Sequence, residues 1–563
     1  ATNANGQRII CRVNAVTNVS PNCVPINIFG QGNADPRAKA FIRSDGTILE
    51  KAAQFNVGGF VAGDLSQLFE LPGGPISFVV GAEYRSETSS VEYDELTKSG
   101  ATFINALSDF DPPKLTIKEA YGEIQIPLLK DLPFAEELTL SAAGRVSDYN
   151  TATGTVYAYN FQGIYAPIPD IRLRAAYATS VRAPTQGDLF ATPGENFAQL
   201  TDPCDSTNIG NNPNRAANCA AAGVPTVFNA ALVAACESSA VPEADRQLGD
   251  PFRNCTAVTS GTSFLTGGNP TLVEERGKSL TLGAVFEPSF LPGFNFTVDY
   301  YDIEVKNLIA VLAAQTIINN CYDNANGINN SFCATVNRDP TTGLFVAPAV
   351  ISGGVNFARQ ETKGIDFDLA YRKTFENGHR VTVRAIATRV LELNNYTDPA
   401  QPLQPNRQLS ELGDPKWAAN LNASYDFGAV RLSYGLRYIG KQTILTYETQ
   451  NAYKGLCPTS GVTPNTGGPV SNPTFNGPAV PCTPGTLVTI APNNADARPR
   501  INYPDAFYHS FRADIEVNTK FNFYVGVDNA FDRQPPLGLL GTAGGDPYDT
   551  FGRYFFAGIQ ASF

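Results

Sequence analysis

Phe551-Gly552-Arg553-Tyr554-Phe555-Phe556-Ala557-Gly558-Ile559-Gln560-Ala561-Ser562-Phe563 closes the chain, and its reading decides the fold. Ile559, Ala561 and Phe563 alternate with Gly558, Gln560 and Ser562. A period of two residues belongs to a β-strand with one apolar face. The pattern recurs upstream. Leu138, Leu140, Ala142, Gly144 and Val146 oppose Thr139, Ser141, Ala143, Arg145 and Ser147. Ile171, Leu173, Ala175 and Tyr177 oppose Arg172, Arg174, Ala176 and Ala178. Leu432, Tyr434, Leu436 and Tyr438 oppose Arg431, Ser433, Gly435 and Arg437. Phe521, Phe523, Val525 and Val527 oppose Asn522, Tyr524, Gly526 and Asp528.

Alternation alone fits two architectures. In a soluble sandwich the apolar face is the core; in a membrane barrel it meets lipid and the polar face lines the lumen. Three features favour the barrel. The strands run to roughly 10–18 residues, against about 5–6 for an ordinary strand. Many carry Tyr or Phe near their ends, as an interfacial girdle requires. Short and long connections alternate. Counting back from Phe563, strands fall near 551–563, 520–532, 506–517, 429–445, 416–427, 378–395, 354–373, 294–307, 275–287, 170–183, 151–166, 136–147, 114–129, 75–94 and 50–66. That is about fifteen strands, with short turns at one end and long loops at the other, the outer-membrane rule. The expected division is a loop segment over 1–49 and barrel over 50–563, with major loops near 185–274, 308–352, 396–415, 446–505 and 534–550.

Composition agrees. Charged residues make up 17%, and 49 Gly, 40 Pro, 23 Tyr and 35 Phe suit strands and turns. A net charge of −12 argues against nucleic acid as a partner. The nearest apolar run, Leu308 to Ala314, is far short of the roughly 18 residues a membrane helix needs. The ten cysteines are Cys11, Cys23, Cys204, Cys219, Cys236, Cys255, Cys321, Cys333, Cys457 and Cys482. None has C-x2-C metal spacing. They fall as close neighbours along the chain, in Pro/Gly/Asn-rich sequence within the long loops. This points to five local disulfides in an oxidising compartment rather than free buried thiols. The only histidines are His379, at a short turn, and His509, within a strand. No Ser-His-acid or Cys-His arrangement is available, so neither an enzyme nor a cofactor is expected.

Specific residues also match a family. The closing strand resembles the final strand of TonB-dependent outer-membrane transporters, where a terminal Phe is the signal read by the barrel-assembly machinery. Ser180-Val181-Arg182-Ala183-Pro184 with Asp188-Leu189-Phe190 is similar to that family's strand-to-loop exit. Gly268-Asn269-Pro270-Thr271-Leu272 with Glu274, Glu275 and Lys278 resembles its re-entry into the next strand. Asp299-Tyr300-Tyr301-Asp302-Ile303, Thr362-Lys363-Gly364-Ile365-Asp366 and Val527-Asp528-Asn529-Ala530-Phe531-Asp532 look like further strand motifs. Their order over residues 50–563 makes the match. The role of these motifs reads as structural, with Arg182 and the Asn-Pro segment pinning the bases of a loop.

The resemblance implies energy-coupled uptake of a scarce ligand, siderophore-iron, peptide or glycan, across a bacterial outer membrane. It implies a barrel of 22 strands around a plug. The plug, the TonB box and the first seven or so strands have no counterpart here. The expectation is therefore that a second polypeptide supplies them, cleaved from one precursor in an extracellular loop before Ala1, and that TonB acts through that plug. The alternative is that the sequence is one portion of a longer chain. Surrounding lipid and lipopolysaccharide complete the partners. On this view the C-terminus is periplasmic and residues 1–49 are extracellular. Arg145, Arg172, Arg174, Arg437 and Asp528 would face plug or ligand, or else pair within the lumen. The loop 185–274 is the first candidate for ligand capture, or a shield for the pore. Some haem-importing relatives carry a histidine between the two loop-base motifs, and this loop has none. A passive porin-like channel and a surface-binding scaffold are the other functional classes.

Overall fold

The computed structural model describes residues 10–14, 22–102, 106–237, 247–255, 262–397, 405–443, 452–457, 461–463, 480–490, 502–536 and 547–561. Its main sheet has 19 strands. Four are short pieces within long connections: Gly194–Ala198, Thr262–Gly267, Val336–Arg338 and Asn406–Arg407. The remaining 15 form one antiparallel meander. These are β1 (Ile48–Asp64), β2 (Ser77–Tyr93), β3 (Leu115–Leu132), β4 (Ala135–Tyr149) and β5 (Thr155–Ile168). Next come β6 (Ile171–Arg182), β7 (Glu275–Phe286), β8 (Phe294–Val311), β9 (Phe345–Thr374) and β10 (Arg380–Tyr396). The last are β11 (Trp417–Phe427), β12 (Val430–Ile439), β13 (Ala506–Asn518), β14 (Phe521–Asp528) and β15 (Tyr554–Ala561). Each pairs with the next in sequence. Among the described residues β1 and β15 do not pair with each other, and β1 is exposed along its whole length. Ser562 and Phe563 lie outside the described residues, as do parts of the predicted loops near 1–49, 185–274, 396–415, 446–505 and 534–550.

The two faces follow the predicted alternation. Ala142, Phe161, Tyr177 and Leu280 sit side by side across β4 to β7 and make a continuous apolar row on the outer surface. Arg174, Gly283, Asp299 and Asp366 make the corresponding inner row. Close approach inside requires glycine at some positions. Gly364 lies directly opposite Tyr301, and a Cβ there would overlap the Tyr301 phenol. Turns at one end are tight. Two residues join β11 to β12, where Gly428 adopts φ +69. No helix among the described residues is long and apolar enough to cross a membrane.

Several boundaries differ from the sequence reading: β8 runs on to Val311 where loop was expected from 308, β5 begins at Thr155 rather than 151, β3 runs to Leu132 rather than 129, and three more differ as follows. The strand expected over 520–532 stops at Asp528, because Asn529 and Asp532 take positive φ and turn the chain away. The strand expected to reach 445 stops at Ile439. Residues expected as loop at 345–352 are strand, since β9 begins at Phe345 and runs for 30 residues. Its first residues find partners inside the loops. Val350 and Phe345 pair with Val336–Arg338, and Ile351–Gly353 lies parallel to Leu265–Gly267.

Candidate functional site: the inner wall and its cap

The inner wall is polar and internally charge-paired. Arg145 reaches Glu119 at 3.4 Å and lies over the Tyr121 ring, while Ser147 Oγ donates to the same carboxylate at 2.5 Å. Arg172 pairs with Glu137 at 3.5 Å. Arg174 Nε donates to Asp299 Oδ1 at 2.9 Å, across the intervening strand at Gly283. Arg384 pairs with Asp368, Arg512 with Asp514, and both Arg380 and Arg431 with Asp426. Arginine suits such sites because its planar fork matches a carboxylate and stays charged. Arg437 differs. It donates to the Pro547 carbonyl at 2.9 Å and faces the Tyr508 ring. Asp528 lines an open inner trough of about 430 Å³ together with Arg384, Asn422, Ser424, Ser510 and Arg512. Of the five inward residues singled out from sequence, three are therefore paired to carboxylates, one holds a loop, and one faces open lumen.

The two loop-base motifs meet. Arg182 ends β6 and grips Glu275 at the start of β7 through two hydrogen bonds of 2.6 Å. Glu275 also accepts from the Ile309 N–H, and Asp188 accepts from Arg182. Thr185 and Asp188 form a capping box on the short helix Gln186–Phe190. The Asn269 N–H donates to the Asp188 carbonyl, and its side-chain amide donates to the Gly354 carbonyl. Asn356 brackets Val273 through both its N–H and its C=O. The motif spacing thus encodes a latch that holds both ends of a connection of about 90 residues against the wall.

Above the latch lies a feature the strand reading missed. The β6–β7 and β8–β9 connections share one hydrophobic core. Leu200, Phe228, Leu232 and Phe252 from the first pack with Ile317, Ile318 and Tyr322 from the second and with Val350 near the start of β9, all buried. The structure pairs Cys204 with Cys219, Cys236 with Cys255 and Cys321 with Cys333 within this body. Cys11–Cys23 and Cys457–Cys482 brace other connections. Arg338 from the second loop binds Asp202 of the first in bidentate geometry at 2.7 Å, with side chains only 7% and 0% exposed. Arg338 also donates to the Tyr322 hydroxyl and the Gly343 carbonyl and stacks on Phe345. Burial opposes its charge, but the Asp202 carboxylate and Tyr322 hold the guanidinium above its ordinary value. A sequence signal for this body existed. Ala314, Ile317, Ile318, Cys321 and Tyr322 repeat at helical spacing and form the buried face of helix Ala314–Tyr322.

A second cluster lies where the ends of β12 and β13 meet the β14–β15 connection, with Ile439, Tyr503, Ala506, Tyr508 and Tyr548 buried together. Gln442 donates to the Tyr548 hydroxyl at 3.1 Å, and burial pushes that phenol up to about 12. The histidines lie elsewhere. His379 meets the Tyr425 hydroxyl at 2.7 Å beside Phe427, and His509 meets the Tyr434 hydroxyl at 2.9 Å under Phe531. Among the described residues no group of three or more His, Cys, Asp or Glu side chains could hold a metal ion.

An apolar outer face, a charge-paired inner face, tight turns at one end and disulfide-braced loops at the other define a transmembrane antiparallel β-barrel of the outer-membrane class. The chain belongs to the family described as TonB dependent receptor-like, beta-barrel, whose profile matches residues 26–530. No curated protein matches it. Among solved structures it is similar to the siderophore receptor PirA of Acinetobacter baumannii, with 13% identity over 91% of this chain and 55% of that one, at a TM-score of 0.50. It is also similar to a mutant of the ferric enterobactin receptor PfeA of Pseudomonas aeruginosa, with 13% identity over 91% of this chain and 54% of that one, at a TM-score of 0.51. The chain therefore spans about half the length of these receptors. At that identity the likeness is one of fold.

Proposed function

We propose that this chain forms the greater part of the barrel wall of a TonB-dependent outer-membrane transporter that takes up a scarce ligand. Ferric siderophore is the first class to test, with peptide and glycan after it. The observation that carries this reading is the family match across 26–530 laid over a meander whose long connections all lie at one end. In this reading the long connections and residues 1–49 are extracellular, and the short turns and the end of β15 are periplasmic. Disulfides in the long connections suit the oxidising side of the membrane. The exposed edge of β1 supports further strands pairing there, because an unpaired edge has no partners in lipid. Those strands and the plug complete the transporter, and TonB engages the plug. The role is transport rather than catalysis.

Uptake of ⁵⁵Fe-labelled ferric enterobactin and of a panel of ferric siderophores, in cells carrying or lacking this protein, tests the reading. Accumulation that requires both the protein and TonB is expected. Uptake indifferent to TonB would indicate a passive channel. Surface binding without uptake would indicate a scaffold.

A further inference from the structure

We propose that the β6–β7 and β8–β9 connections are one cap domain that opens, moves and unfolds as a single body, with Arg338 as the residue that couples its halves. This rests on the transport reading only for its consequence, that any gating by one connection carries the other with it.

None of the three disulfides crosses between the halves. Cys204–Cys219 and Cys236–Cys255 close within the first connection, and Cys321–Cys333 closes within the second. Each half is covalently braced alone, so coupling must be noncovalent. Four independent contacts supply it. The Arg338–Asp202 pair is almost fully buried and lies inside the shared core. Arg215 binds Asp323 through both carboxylate oxygens, and Asn218 donates to the Tyr322 and Asn324 carbonyls. Gln315 and Thr201 exchange two hydrogen bonds. Finally, Leu265–Gly267 of the first half pairs in parallel with Ile351–Gly353, the stretch of β9 that carries the second half into the wall.

Arg338 dominates for a physical reason. A buried pair gains little over an apolar pair, but removing one partner leaves a charge with nothing to neutralise it. Loss of Arg338 would strand Asp202, which is also held by the buried Asn254 amide at 2.6 Å and cannot turn to water. The damage then falls on the half that does not contain the mutation. A merely local role would leave the first half untouched.

Hydrogen exchange with mass spectrometry on the complete transporter purified in detergent micelles, wild type against Arg338→Met, tests this. Exchange should accelerate by about a hundredfold in both 201–237 and 312–344, with β10 to β14 unchanged. Acceleration confined to 333–345, with 201–237 at its wild-type rate, would overturn the proposal. If Arg338→Met fails to fold, Arg215→Met removes the more peripheral bridge. It should give a smaller acceleration, again shared by both halves, and a one-sided response would refute the coupling. The readout needs neither ligand nor TonB, so a failed uptake assay and a failed exchange assay are separate results.

Discussion

The bridge from Arg174 to Asp299 depends on what is missing from Gly283. Arg174, Gly283 and Asp299 lie in register on β6, β7 and β8, so the ion pair spans two strand spacings, roughly 10 Å. A Cβ on Gly283 would overlap Asp299 Oδ1 and lie 2.8 Å from Arg174 Nε. Both atoms belong to flexible side chains and neither to backbone, so in Gly283→Ala the side chains swing aside and the backbone stays in place. The loss is the pair itself. Its side chains are 43% and 19% exposed, which limits a bidentate contact to about 1 kcal/mol. Alanine meanwhile recovers about 0.5–1 kcal/mol of backbone entropy that glycine forfeits in a strand. The two terms nearly cancel, and the single variant should sit within about 0.5 kcal/mol of wild type. The diagnostic is the double-mutant cycle. Arg174→Ala should cost about 1 kcal/mol with Gly283 present and close to nothing in the Gly283→Ala background. Urea unfolding in micelles, followed by the fluorescence of the single tryptophan, Trp417, measures it. An equal cost for Arg174→Ala in both backgrounds would refute the reasoning.

Other outcomes follow from the same geometry. Gly364→Val drives its side chain into the Tyr301 phenol and should cost about 1–3 kcal/mol; adding Tyr301→Ala should return part of that loss in the same unfolding assay. Tyr548 has a folded pKa pushed up to about 12 by burial, against about 10 when unfolded. The folded state thus keeps its proton between those values while the unfolded state releases it, so stability of the cluster falls as pH rises from about 10 to about 12. The urea midpoint of unfolding should fall over that window, and fall less in Tyr548→Phe. Asp94 is held at about 2 by the N–H groups of Thr97 and Thr47, so its contribution is present above about pH 4 and disappears as pH falls toward 2. Pepsin cleavage in the 94–114 connection should rise over that range, and Asp94→Asn should bring the same sensitivity at pH 4.

How much of this was legible in sequence divides along the range of the interactions. Barrel strands were legible because alternation is local, and β13 (Ala506–Asn518) lies within a residue of its predicted 506–517. The two loop-base motifs were legible as motifs. Their contact was not, since Arg182 and Glu275 lie 93 residues apart. For Arg145, Arg172 and Arg174 the sequence left pairing and ligand contact both open, and only the register across strands puts Glu119, Glu137 and Asp299 within reach. The cap was the largest omission. Its helical spacing at Ala314 to Tyr322 is visible, but short helices inside a loop carry no sign of what they face, and Asp202 and Arg338 are 136 residues apart. The strand end at Asp528 was overrun because the positive φ of Asn529 and Asp532 leaves no mark on side-chain patterning, and the end at Ile439 because Gln442–Thr443 leaves the wall to pair with Asn502–Tyr503.

β9 (Phe345–Thr374) has a mechanical consequence. One uninterrupted strand is bonded to β8 and β10 through the wall and to Leu265–Gly267 above it. The overhanging body is therefore a cantilever with its root clamped in the sheet. A load on it is carried along β9 as shear on ladder bonds that must yield together, rather than being peeled away one bond at a time. Pulling on a residue of the overhang such as Asn229 should stress the wall before the overhang bends.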